Sequence, residues 1–237
     1  MSKSKPKKKG ECIYCGRILP ITEDHVPPRN LFAKPRPNNL IKVPSCYKCH
    51  GENKQVSQDD EYFRLMLTLR EDVSTHPDVK KILPTVMRSL RKPKKLGFTK
   101  SLLNSMKSIN LRTEGGLHLG VKGAYDVKLS RLDNVAIRIT KGLFYHEKKY
   151  RLPDEYGVAA YSESGLTNIT AEFKQEIRIN ILQPLMANAP KIIGDQVFSY
   201  RVSYSDTDTN VSAWLFIFYE QVRFVCLTLP KKSMVRS

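Results

Sequence analysis

The sequence predicts an α+β fold: a small, cysteine-stapled ββα module followed by a mixed domain of helices packed on a C-terminal antiparallel sheet. Three observations predict it. Cys12/Cys15 and Cys46/Cys49 form two Cys-x-x-Cys pairs around a short strand-rich segment. Leu132, Val135, Ile139 and Leu143 recur at helical spacing, as do Phe173, Ile177, Ile181 and Leu185. Near the C-terminus, Phe198, Tyr200, Val202 and Tyr204 alternate with Ser199, Arg201 and Ser203, which gives a strand with one apolar and one polar face.

The four cysteines decide whether the first segment can hold a shape. Thirty residues, 16 to 45, separate the two pairs, a spacing that closes a tetrahedral four-sulfur site of the structural zinc type. A segment of about 50 residues buries too little apolar surface to fold unaided, and zinc supplies about 10–16 kcal/mol of apparent binding free energy as folding energy. Met1 to Lys9 carries lysines with no apolar run after them. The sequence therefore reads as lacking a signal peptide and as belonging to a reducing, cytoplasmic compartment, where disulfides are the weaker reading. The fifth cysteine, Cys226, lies in the apolar run Val222-Arg223-Phe224-Val225-Cys226-Leu227 and reads as a small core residue.

Between the cysteine pairs, Ile18-Leu19-Pro20-Ile21 reads as a strand that leads into Thr22-Glu23-Asp24-His25, and Pro27-Pro28 ends it. His25 is thus expected at a strand end facing a loop, an exposed position suited to chemistry. Asn39-Leu40-Ile41-Lys42-Val43 reads as a second short strand, and Ser45 as the N-cap of a helix carrying Cys46, Cys49 and His50. Hairpin plus helix make the ββα unit.

The run Cys-x-x-Cys, Asp24-His25, Asn39-Leu40, Cys-x-x-Cys-His50 resembles the HNH endonuclease family in its zinc-stabilised form, over residues 12 to 63. The resemblance implies a ββα-metal fold that holds one divalent ion, Mg²⁺ or Mn²⁺, against a scissile phosphate. It implies that His25 is the general base drawing a proton from the attacking water, and that Asp24 ligates the ion. Asn39 would brace the loop and keep His25 oriented, a structural role. The remaining ligand, on the helix, is either His50, directly after Cys49, or Asn53 in Asn53-Lys54-Gln55-Val56-Ser57.

Elementary chemistry agrees with that assignment. Phosphodiester hydrolysis needs an activated water, a cation to neutralise charge on the phosphorane and leaving oxygen, and a donor to position the phosphate. A neutral imidazole suits the first task at cellular pH. A carboxylate with one His or Asn leaves a hard cation open positions for water and phosphate oxygens. Arg29 and Lys34 lie in the intervening loop, where phosphate contact and ordinary surface charge are both open readings.

Composition points to a polyanionic partner. The 237 residues include 40 Lys+Arg against 23 Asp+Glu, a formal net charge of +17, which favours DNA, with RNA left open. No apolar stretch reaches membrane-spanning length, so a membrane is not expected. The expectation is a DNA endonuclease with a role in defence or restriction. Two alternatives from other classes stand beside it: a non-catalytic zinc-containing nucleic-acid binder, and a nuclease subunit gated by a regulatory protein partner. The sequence is also compatible with a homodimer.

Domain organisation follows the same reading. Residues 1–10, with Lys3, Lys5, Lys7, Lys8 and Lys9 among Ser, Pro and Gly, are expected to be a disordered basic tail. Residues 11–73 form the nuclease module, ending in a helix from Asp59 to Arg70. Residues 74–97 are a helical, basic connector with a helix from Pro77 to Leu90, Pro84 inside it, and the cluster Arg88, Arg91, Lys92, Lys94 and Lys95. Residues 98–237 form an accessory domain of open role. There Ser101 to Ile109 reads as a helix and Gly115-Gly116-Leu117-His118-Leu119-Gly120 as a glycine-rich turn and strand. That glycine set lacks the Gly-Lys-Ser/Thr ending of a phosphate loop. Tyr145 to Tyr150 reads as a solvated helix end, His76 and His118 as isolated, and Val211–Phe218 and Val222–Leu229 as two further strands.

Overall fold

The computed structural model describes residues 8–50, 53–92, 96–113, 115–162, 175 and 177–234. Lys3, Lys5 and Lys7 of the basic tail, Pro93, Lys94 and Lys95 of the second basic cluster, and Phe173 of the predicted helix lie outside the described residues. The chain is a mixed α+β protein. A first sheet has the order β1 (Lys9–Glu11), β2 (Ile18–Val26), β3 (Ile41–Cys46), all antiparallel, and helix α1 (Lys54–Thr68) follows it. The β2–β3 register pairs Asp24 with Val43 and His25 with Lys42.

Two local expectations differ from the structure. Lys9 and Gly10, assigned to the tail, belong to β1 and pair with Pro20 and Leu19. Cys46, Cys49 and His50 are not on a helix capped by Ser45. Cys46 ends β3, the amides of Cys49 and His50 both turn back onto the Cys46 carbonyl, and α1 begins only after Asn53. The Asn53 side chain accepts from the Gln55 amide, so Asn53 is the N-cap. The Cys49 and His50 amides are both spent on the Cys46 carbonyl, which closes a tight turn there, and the helix starts only where Asn53 caps it.

Helix α2 (Pro77–Leu90) buries Val79, Ile82 and Val86, so the segment expected as a connector contributes to the core. Helix α3 (Leu96–Asn104) stops five residues before the predicted end at Ile109, and the chain enters the ribbon β4 (Lys107–Arg112) and β5 (His118–Ala124). Ile109 is β-branched and suits a strand. The ribbon leaves Leu117, Leu119 and Val121 exposed.

Helix α4 (Leu129–Lys148) is the central strut. Its Leu132, Val135, Ala136, Ile139, Thr140 and Leu143 are buried, and it packs on α1, β2, β3, β6 (Tyr156–Ser162) and β10 (Val222–Pro230). Gly142 sits where a Cβ would fall 2.5 Å from Val26 Cγ2, so glycine permits α4 to approach the strand carrying Asp24 and His25. The second sheet is antiparallel, in the order β6-β10-β9-β8-β7, with β7 spanning Lys191–Ile193, β8 Phe198–Tyr204 and β9 Ser212–Phe218.

One hydrophobic core joins all of this. It runs from Ile13, Val26 and Leu31 through Phe63 and Val135 to Trp214, Phe218 and Phe224. Phe63 of α1 meets Phe218 edge-on with ring centroids 5.2 Å apart, and the Tyr219 hydroxyl donates to the Leu31 carbonyl at 2.8 Å. The N-terminal module is therefore built onto the C-terminal sheet through shared buried surface. Cys226 is fully buried in that core, and burial pushes its thiol up to about 12, the state of a small apolar residue and not of a nucleophile. Among the described residues, no helix is long and apolar enough to cross a membrane.

Candidate metal centre and adjoining polar cavity

The two cysteine turns face each other. The Gly16 amide donates to the Cys12 carbonyl at 2.8 Å, and Gly16 takes φ +70°, a left-handed turn that glycine adopts without strain. The Cys49 amide closes the second turn on Cys46 at 3.0 Å. One sulfur from each of Cys12, Cys15, Cys46 and Cys49 lies within 4.8 Å of all the others, and Cys15 Sγ is 3.9 Å from Cys46 Sγ. A tetrahedral zinc with Zn–S bonds of about 2.3 Å places sulfurs about 3.8 Å apart, so the four thiols fit such an ion.

At Cys12 burial raises the pKa, but the amides of Cys46, Cys15 and Tyr14 outweigh it and bring the thiol down to about 7. Cys15 and Cys49 are raised, first by burial and then by the neighbouring sulfurs. Four thiolates this close need a cation between them, which is what a metal supplies.

Beside this centre, a polar cavity of about 290 Å³ is lined by Thr22, Glu23, Asp24, His25, Pro28, Arg29, Asn30, His50, Ser57 and Asp60. Asp24 is buried at the end of β2. The Tyr14 hydroxyl, from the first cysteine turn, donates to its Oδ2 at 3.1 Å, and the His25 amide donates to its Oδ1 at 3.1 Å. Tyr14 stays protonated, because burial and then the Asp24 charge hold its pKa well above the usual value. The cysteine turn thereby positions the carboxylate.

His50 is buried, with Nε2 2.8 Å from the Glu23 carbonyl and 4.0 Å from Asp24 Oδ1. A carbonyl can only accept, so Nε2 is the donor of that bond and Nδ1 is the ring's other nitrogen. His25 is half-buried next to them. Burial first, and then the Arg29 charge, lower its pKa from the ordinary imidazole value, which keeps it in the neutral, proton-accepting form at neutral pH.

Sequence reasoning missed four members of this neighbourhood. Asn30 Nδ2 donates to the Asp60 carbonyl at 3.1 Å, and among the described residues the buried Asn30 Oδ1 has no hydrogen-bond partner. Ser57 and Asp60 enter from α1. Asp60 is paired with Arg138 of α4. Burial, partly offset by Arg138 and reinforced by Asp24, moves the Asp60 carboxyl up to about 6. The Asp59-Asp60 pair looks in sequence like helix-terminal charge, and nothing local marks Arg138, 78 residues away.

Two expected site residues fall elsewhere. Asn39 does not line the cavity, and its amide does not hold the His25 loop from inside the module. Its Nδ2 donates to the Ile192 carbonyl and its Oδ1 accepts from the Gly194 amide, each at 3.1 Å, which ties the loop to the far sheet. Asn53 is outside the cavity, occupied in capping α1. Arg29 reaches the cavity and Lys34 does not.

Asp24 and His50 bring an oxygen and a nitrogen donor to this cavity, donor types that divalent ions accept. Asn30 Oδ1 offers an acceptor to an ion's water. No protein-family model, curated protein or solved structure matches this chain.

Proposed function

We propose that this protein is a metal-dependent endonuclease of the HNH type that hydrolyses DNA phosphodiester bonds. The observation that carries the reading is the convergence of Asp24, His25 and His50 on one polar cavity beside the four-cysteine centre. The β2–β3–α1 order supports it, as does the net charge of +17.

In this reading His25 accepts a proton from the attacking water and passes it to solvent through the cavity mouth. Asp24 and His50 are the protein ligands of the catalytic ion, with Asp24 aimed by Tyr14 and His50 held by the Glu23 carbonyl. Bound Mg²⁺ or Mn²⁺ would supply charge neutralisation at the phosphate. Arg29 approaches a phosphate oxygen from the loop, and Asn30 Oδ1 orients water. Asp60 and Arg138 sit behind Asp24 and set the charge of the cavity wall.

The test is relaxation of supercoiled plasmid by the full chain with added Mg²⁺ or Mn²⁺, alongside Asp24→Ala, His50→Ala and Asn53→Ala at matched zinc content. Cleavage is expected with the native chain and with N53A, and a loss of about 10²-fold or more is expected in D24A and H50A. Full activity in H50A with loss in N53A would transfer the ligand role to Asn53. DNA binding without cleavage in either metal would leave a zinc-containing nucleic-acid binder.

A further inference from the structure

A second cavity, of about 640 Å³, opens among α1, α2, α3 and α4 and shares no lining residue with the polar cavity. Its walls are apolar and partly aromatic: Tyr62, Leu65, Val86, Leu90 and Phe98. Tyr62 and Phe98 meet edge-on with centroids 5.8 Å apart, which presents ring surface from two sides. Lys54, Arg64 and Arg131 bring three cations to the same space, and Glu61 brings one anion.

The charges are unequally compensated. Arg131 is already spent: it pairs with Asp59 at 2.6 Å and lies 4.3 Å over the Tyr62 ring. Glu61 accepts from the Ser89 hydroxyl. Arg64 differs, because its Nε is buried with no hydrogen-bond partner among the described residues. The side chain is half-buried, and desolvation lowers its pKa with Glu61 and Tyr219 offsetting it in part. An anion reaching Nε would give that buried donor its partner.

We propose that this cavity binds a small organic anion built as a flat ring joined to a phosphate, the chemistry of a nucleoside monophosphate. The ring lies against Tyr62, Phe98 and the aliphatic wall, and the phosphate meets Arg64 and Lys54. The volume falls in the range of about 300–1,000 Å³ usual for such ligands. Arginine suits the phosphate because its planar fork gives two parallel N–H···O bonds. The ligand has two sources that the same chemistry would serve, a free nucleotide or the 5′-phosphorylated end of a strand. The site is independent of the proposed nuclease centre.

The experiment is calorimetric titration of the full-length, zinc-loaded chain, without added Mg²⁺ or Mn²⁺. The probes are the four 5′-nucleoside monophosphates, the matching nucleosides, ribose 5-phosphate, and a tetranucleotide with and without its 5′-phosphate. At least one monophosphate is expected to bind, with its nucleoside and ribose 5-phosphate each weaker by about tenfold or more. Binding by the phosphorylated tetranucleotide alone assigns the site to a strand end and equally supports the proposal.

Arg64→Gln is expected to weaken binding by about tenfold or more. Lys54→Gln, at an exposed position that leaves the core untouched, is expected to weaken it by about threefold. Asp24→Asn should leave it unchanged, which separates this site from the nuclease cavity. Absence of binding by every phosphorylated probe overturns the proposal. So does equal binding by K54Q and the native chain, or loss of binding in D24N.

Discussion

Exchange of Cys46 for Ser is expected to cost the chain its zinc and, with it, most of its fold. A four-cysteine zinc contributes about 10–16 kcal/mol to a small module, and a whole domain is stable by only about 5–15 kcal/mol. The loss cannot stay local. Ile13, Val26, Leu31 and Val43 belong to the same core as Phe63, Phe218 and Trp214, so collapse of the cysteine turns exposes apolar surface on both sides of the molecule. Trp214 is the only tryptophan and is fully buried in the distant sheet. Its fluorescence therefore reports on that sheet. The native chain should carry one zinc by elemental analysis, and C46S none. C46S should show the emission of Trp214 shifted to the red, or melt at least about 15 °C lower. A zinc-free C46S with native Trp214 emission and native melting would show that the cysteines are not what holds the module.

The second large effect is expected at Arg138. It is the cation that α4 sends under the candidate site, paired with Asp60 and within electrostatic reach of Asp24 and Tyr14. Arg138→Leu leaves Asp60 buried without its partner, a change that costs about 3–5 kcal/mol. The pH dependence has a definite sign. The Asp60 carboxyl already sits near 6, raised by burial, and loss of Arg138 raises it further. A carboxyl whose folded pKa is raised contributes stability below its unfolded value, near 4, and loses it as pH rises through the folded value. The penalty of R138L should therefore be largest at neutral pH and smallest near pH 4. The double variant Arg138→Leu, Asp60→Asn should recover a large part of the loss, because the unpaired charge is gone. Denaturant melts of the native chain, both single variants and the double variant at pH 4.5 and 7.5 measure this coupling. A pH-independent penalty, or additive single effects, would mean that the pair is not coupled as the geometry shows.

What the sequence disclosed depended on how local the determining interaction is. The cysteine spacing, the adjacent Asp24 and His25, the α4 face of Leu132, Val135, Ile139 and Leu143, and the alternation from Phe198 to Tyr204 are short-range patterns, and the structure has elements at each place. β6 escaped notice because Tyr156-Gly-Val-Ala-Ala-Tyr-Ser has weak alternation and gains its place by pairing with β10, more than 60 residues later. β7 has three residues and no pattern to read. Ser45 is a good N-cap type and so suggests a helix at Cys46–His50, whereas the chain there makes a turn closed on the Cys46 carbonyl and leaves the cap to Asn53. Asn39, expected to brace the His25 loop, instead bonds to residues 192 and 194, partners that only tertiary structure supplies. Asn30, Asp60 and Arg138 reach the cavity from three elements, and no spacing rule joins them. The site is thus legible where one turn of chain builds it, and hidden where α1 and α4 complete it.

The central claim is that His25 is the base of a hydrolytic centre. It is tested most directly by comparing the native chain with His25→Ala in single-turnover cleavage of plasmid DNA, at matched zinc content and with saturating Mn²⁺. General-base catalysis is worth about 10²–10⁴ in rate, so H25A should bind DNA and metal as the native chain does and cut slower by about that factor. Equal cleavage rates in the two proteins would contradict the account, and would place the activity outside the cavity shared by Asp24, His25 and His50.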